Sequence, residues 1–222
     1  MTSLSQEEEN YVRMSLLLTG ISPRATRTFF DKEIAPVCLE ATLKKEYNKL
    51  LDLKKKHIIN QSQWNLLFPR FPDVPASKTF DITLMITLLR NLTPYGGFDC
   101  LPAAAVISKG ADLARLKYYR NYLAHLEDGK VEGTDFNTAW DTISEAIERL
   151  GGQQMKYECD QLRTKILDQT NKEIMLDIKR SNDEIHELKQ SLVSLEKSHE
   201  ELKADHADMK KHTRYSNMAM QK

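Results

Sequence analysis

Apolar residues recur at helical spacing along most of the chain. The clearest stretch is Lys109–Leu126, where Leu113, Leu116 and Leu123 mark one face and nothing after Gly110 interrupts the run. Ser108 is of N-cap type, and Glu127-Asp128-Gly129 offers a stop. The spacing therefore predicts a helix over 109–126, with the preceding residues as its scaffold. YVRMSLLLTG predicts a short amphipathic helix closed by Gly20, and Ser22-Pro23 an N-cap with Pro at the first position of a second helix, running to Pro36. Leu39, Leu43, Tyr47 and Leu50 predict one long helix from Pro36 to about His57.

Ser62 is of the type that caps a short helical turn, and Pro69, Pro72 and Pro75 force an extended connection after it. Trp64, Leu67 and Phe68 are expected to plug the core. From Ser77 the run SKTFDITLMITLLRNLTP leaves little polar face, which predicts a helix inside a bundle, ended by Thr93-Pro94. Thr134 is expected to cap a last bundle helix in which Phe136, Trp140, Ile143, Ile147 and Leu150 share one side, and Gly151-Gly152 to end it. No stretch sustains a period of two, so no sheet is expected. The predicted fold class is all-α: a helical bundle over residues 1–152.

Beyond that point Pro, Gly, Trp and Phe vanish and a seven-residue register takes over. Ile178, Ile185 and Leu192 fall at position a; Leu167, Ile174, Leu188, Leu195 and Leu202 fall at d. This pattern predicts a long coiled-coil helix over 153–212, with a flexible tail at 213–222. Ile174, Ile178, Ile185, Leu188, Leu192, Leu195 and Leu202 form the expected dimerisation seam, and Glu184 to Lys189 is an attractive pair in a parallel homodimer. A single helix folding back on the bundle is the alternative, since a narrow seam serves there too. His199 and His206, at consecutive a positions, read either as a pH-sensitive end of the coil or as imidazoles facing water.

Charge adds little. The 32 basic and 32 acidic residues balance overall and on both sides of Gly152, which argues against a general affinity for nucleic acid or anionic membrane. Lys45, Lys49 and Lys56 line one helix face and are the candidate contacts to single-stranded RNA, but Glu46 and Asp52 interleave with them. No apolar run approaches the ~18 residues of a membrane span. Cys38, Cys100 and Cys159 are scattered, without a CxxC pair, so free thiols in a cytoplasmic protein are expected, with no metal and no cofactor.

The run RNYLAH, taken with NQSQWNLLFP, SKTFDITLMITLLRNL and FNTAWDTISEAIERLG, resembles the HEPN domain of the DAZ-interacting zinc-finger type over roughly residues 9–150. The resemblance implies an antiparallel helical bundle that dimerises. Many HEPN domains are metal-independent endoribonucleases, and their motif of an Arg, a neighbouring polar residue and a His matches Arg120, Asn121 and His125. That chemistry is coherent: a histidine titrates near neutral pH and can activate a ribose 2′-hydroxyl, and a guanidinium stabilises charge on the phosphate. Five residues of α-helix turn through about 500°, leaving the two side chains about 140° apart, so either the helix distorts or a second chain completes the site. Equally, Arg120 could pair with a neighbouring helix and His125 could cap carbonyls.

Relatives of the namesake type also carry a RING for ubiquitin transfer, which needs a Cys/His set for two zinc ions; three scattered cysteines cannot build one. The function expected is a non-catalytic protein-interaction and assembly module, dimerised by the coil, with an unidentified protein partner and a place as an RNA- or ubiquitin-pathway adaptor. The alternative is an endoribonuclease using Arg120, Asn121 and His125 at a dimer interface.

Overall fold

The computed structural model describes residues 5–97, 100–126 and 129–167, together with 191, 194–195, 197–199 and 202–203. All regular elements among the described residues are helical. The chain divides into two units, Met1–Lys172 and Glu173–Lys222.

Helix α1 (Gln6–Leu16) starts at a reciprocal cap. The Ser5 hydroxyl accepts from the Glu8 N–H at 3.3 Å, and the Glu8 carboxylate accepts from the Ser5 N–H at 2.8 Å. Gly20 does not close this helix. Leu17–Ile21 forms a π turn and α2 (Ser22–Glu33) follows without a break. Ser22 is accordingly no N-cap: it has helical dihedrals, its N–H reaches back to the Leu17 carbonyl, and its hydroxyl donates to the Leu18 carbonyl at 2.9 Å. Widening the turn keeps the backbone bonded where an isolated glycine alone would not stop a helix.

The long helix expected from Pro36 is two, α3 (Pro36–Lys45) and α4 (Tyr47–Lys55), divided at Glu46 (φ −93°, ψ 14°). Their inner faces bury Leu39, Leu43 and Leu50 as the spacing requires, with Leu53 beside them, whereas Tyr47, the remaining position of that spacing, is exposed. Helix α5 (Gln61–Leu67) is capped by Asn60 and not by Ser62: the Asn60 side chain accepts from the Gln63 N–H at 2.8 Å, and Gln63 returns the bond. Helix α6 (Ile82–Leu92) begins later than Ser77, because Asp81 supplies the cap to Leu84 N–H at 2.7 Å. Leu84, Met85, Leu88 and Leu89 lie wholly inside.

Helix α7 (Lys109–Ala124) is capped by Ser108, whose hydroxyl accepts from Ala111 N–H at 3.1 Å. It stops two residues short of Leu126, with His125 in the C-cap (φ −100°, ψ 3°); Glu127 and Asp128 of the expected stop lie outside the described residues. Helix α8 (Gly133–Gly151) begins one residue before Thr134, which therefore does not cap it. Its stripe Phe136, Trp140, Ile143, Ile147 and Leu150 is buried, and α8 packs against α1, α2, α7 and the helix after it.

The two glycines ending α8 have different reasons to be there. Gly152 has φ +94°, a region L-residues rarely adopt. Gly151 lets α8 approach α2: a Cβ there would lie 2.9 Å from both Cα and Cβ of Ala25. Gly151→Ala is expected to cost about 1–3 kcal/mol through overpacking, read as a lower urea midpoint; an unchanged midpoint would show that α2 yields freely.

Past Gly152 the chain does not leave the bundle. Helix α9 (Gln153–Thr164) returns along α8, with Cys159 fully buried and Met155 and Leu162 packed on the core. Arg13 donates to the carbonyls of Leu162 and Lys165 at 2.9 and 2.7 Å, Arg24 pairs with Glu158 at 2.6 Å, and Arg163 with Asp141 at 2.6 Å. Leu167, read as the first d position of the coil, is buried in this unit. Residues 153–167 thus take the fold-back arrangement. Of the dimerisation seam, Ile174, Ile178, Ile185, Leu188 and Leu192 lie outside the described residues, while Leu195 and Leu202 are helical and exposed at 69% and 66%. His199 is helical and exposed; His206 lies outside. No helix among the described residues is long and apolar enough to cross a membrane.

Candidate functional site

Helix α7 carries two different kinds of polar residue. On its inner side Asp112, with no exposed surface, accepts from Arg115 at 3.1 Å and from two nitrogens of Arg149 on α8, the shortest bond being 2.8 Å. Arg115 is itself buried and donates onward to the carbonyls of Ala103 and Val106 at 2.8 and 2.9 Å, which ties the segment before α7 to the helix. Hydrogen bonding to Asp112 holds the Arg149 guanidinium above its ordinary pKa. This buried cluster was not among the expected site residues.

On the outer side Lys117, Asn121 and His125 stand at i, i+4 and i+8, so they share one edge of α7. They line a cavity of about 320 Å³ together with Cys100, Ala114, Tyr118 and Tyr122. Two of the three motif residues are thereby brought together. Arg120 is not with them. It is half-buried and donates from Nη1 to the Thr83 hydroxyl on α6 at 2.9 Å. Burial lowers its pKa, with the carboxylate of Asp81 opposing. The helix does not distort to join Arg120 to His125; it simply ends there, its last turn closed by the His125 N–H on the Asn121 carbonyl at 3.1 Å. Within one chain, then, Arg120 is bonded to Thr83, whereas a lysine, an amide and an imidazole face a common space. Lys117 was missed, although its spacing from Asn121 and His125 is legible in the sequence.

The lysine row is not a continuous cationic track. Lys45 and Lys56 are exposed, but the Lys49 ammonium donates to the Asn91 carbonyl at the end of α6. Neighbouring Lys44 is paired with Glu40 at 2.6 Å. Cys38 and Cys100 are exposed and Cys159 is buried. Among the described residues no group of three His, Cys, Asp or Glu side chains is placed to hold a metal.

Against known proteins, the family model for the DZIP3/hRUL138-like HEPN domain matches residues 36–175. Two relatives are similar to this chain, both named E3 ubiquitin-protein ligase DZIP3. The mouse (Mus musculus) protein is 34% identical over 138 residues, 58% of this chain and 11% of its own length. The human (Homo sapiens) protein is 34% identical over 147 residues, 62% of this chain and 12% of its own length. No solved structure matches.

Proposed function

We propose, from the premise that this chain belongs to the DZIP3/hRUL138-like HEPN family, that it is a non-catalytic interaction and assembly module of the ubiquitin pathway, acting in the cytoplasm. The pathway follows from the relatives' printed name; the chain spans about a tenth of their length, so ligase activity itself is not carried over. The observation that supports a non-catalytic role is the hydrogen bond that holds Arg120 on Thr83, while Asn121 and His125 line the cavity. Ribonucleolytic cleavage needs general base and phosphate-bound cation together.

In this reading the heptads beyond the bundle draw two chains into a parallel homodimer and set two bundles side by side for a protein partner. Ile185→Asp with Leu192→Asp is expected to halve the mass seen by light scattering. A variant that remains dimeric would place the interface on the bundle and remove the coil from this role.

A second reading, a metal-independent endoribonuclease, is favoured by one observation: His125 and Asn121 line a cavity on an exposed edge, where a second chain can reach. Single-stranded RNA incubated with the protein in EDTA distinguishes the two. The assembly role expects no 2′,3′-cyclic phosphate ends; cleavage abolished by both His125→Ala and Arg120→Ala would overturn it.

A further inference from the structure

We propose that Thr93, at the C-terminal end of α6, is a phosphorylation site for a proline-directed protein kinase, and that its phosphate loosens the joint between α6 and α7. The site is independent of the assembly role, and either can fail without the other.

A proline-directed kinase requires Ser or Thr immediately before Pro, and the chain has two such pairs, Ser22-Pro23 and Thr93-Pro94. The fold separates them. The hydroxyl that accepts a phosphoryl group must stand in line with the γ-phosphorus of ATP, on a backbone that the kinase can hold extended. Ser22 does not meet that need. It has no exposed surface and helical dihedrals (φ −61°, ψ −36°) in the unbroken run from the π turn into α2. Its hydroxyl donates to the Leu18 carbonyl, and its own carbonyl accepts from the Thr26 hydroxyl at 2.9 Å. Reaching it means unwinding helix on both sides.

Thr93 is placed differently. Pro94 lacks an N–H and disfavours helix at the residue before it, so α6 stops and Thr93 is already extended (φ −125°, ψ 168°). Thr93 is half-buried, and Pro94, Gly96 and Gly97 after it are exposed. Among the described residues no regular element follows until α7. The Thr93 hydroxyl donates to the Leu89 carbonyl at 2.5 Å, and rotation about one side-chain bond releases it. In the transfer Thr93 Oγ1 bonds to the γ-phosphorus of ATP as the β–γ bridging P–O bond breaks. ADP leaves with that electron pair, and the hydroxyl proton passes to the kinase's general base.

The phosphate, with a charge of about −2, lands where α6 ends in its carbonyls, the negative end of the helix dipole. The bond to Leu89 is lost as well. Several elements converge there. Lys49 of α4 donates to the Asn91 carbonyl, and Tyr95 packs edge-on to Phe29 of α2 at 5.3 Å. Gly110, in the first turn of α7, sits so near the Gly96 carbonyl that a Cβ would lie 2.9 Å from its oxygen. Repulsion at Thr93 therefore acts on the joint from which α7 starts.

The folded full chain, incubated with ATP and a kinase of the cyclin-dependent class and mapped by mass spectrometry, tests this. One phosphate is expected, on Thr93, with Ser22 unmodified. Thr93→Ser should keep the label and Thr93→Val should lose it. Synthetic peptides spanning 16–29 and 87–100 show what the kinase does to the same two residues without the fold, and both should be labelled. The phosphorylated chain should then unfold at a lower urea midpoint than the unmodified one. An unlabelled Thr93 in the folded chain, either peptide unlabelled, or Ser22 labelled as fast as Thr93 would each overturn the site. An unchanged or higher midpoint would overturn the loosening.

Discussion

Replacing Asp112 with alanine is expected to cost the bundle about 3–5 kcal/mol, because it leaves a buried guanidinium without its counter-charge. Arg115 is 2% exposed and cannot turn to water, and the carbonyls of Ala103 and Val106 that it also binds do not neutralise it. Arg149→Ala should cost distinctly less. Its side chain is 26% exposed and its removal still leaves Asp112 bonded to Arg115. Urea denaturation of the two variants checks the order. If Arg149→Ala proves the worse, the inter-helical bond and not the buried counter-charge is what stabilises this end of the bundle.

Alkylation of the native protein at pH 8 should show two reacting thiols and one inert one. Burial pushes the Cys159 thiol up to about 12, whereas Cys38 and Cys100 are exposed. The thiolate is the nucleophile, and at pH 8 the fraction ionised at Cys159 is about a thousandfold below that of an ordinary cysteine near 8.5. Because the folded-state value is raised above the unfolded one, the neutral thiol stabilises the fold fully below about pH 9. That contribution is lost as pH rises through about 12. Docking of α9 should accordingly loosen on the alkaline side and be indifferent to acid at this residue. Mass spectrometry after timed labelling reads the result; Cys159 modified as fast as Cys38 would mean that α9 lifts off readily.

Much of the bundle is legible because its signals are local and agree with one another. Ser108 caps α7, the apolar residues Ile82, Leu84, Met85, Ile86, Leu88 and Leu89 of α6 are buried, and the α8 stripe faces inward up to the glycine pair. Failures occur where two residues of the right type compete, or where a tertiary partner decides. Asn60 wins over Ser62 because Gln63 completes the reciprocal cap. Residues 153–167, expected within the coil, pack on the bundle, since a seam that fits another helix fits the bundle surface equally well. Arg13, Arg24 and Cys159 decide in favour of the bundle.

The site was half legible. Asn121 and His125 do share an edge, and the geometric objection to Arg120 joining them was visible from helical rotation alone. Asp112 could have been found too: it precedes Leu116, Tyr119 and Leu123 on the buried face, where a carboxylate demands a partner. What no spacing could reveal is that its partner is Arg149, on another helix.

Leu17–Ile21 bears on how the first two helices tolerate change. A π turn is an α-helical path carrying one surplus residue. Excising that residue would heal the ladder and leave a straight shaft, yet everything downstream would swing by about 100°. Ala25, Thr26, Phe29 and Phe30, all interior now, would rotate outward together. The bulge works as a fixed phase offset between two segments of one rod, and it is this offset that lets both segments address the same interior.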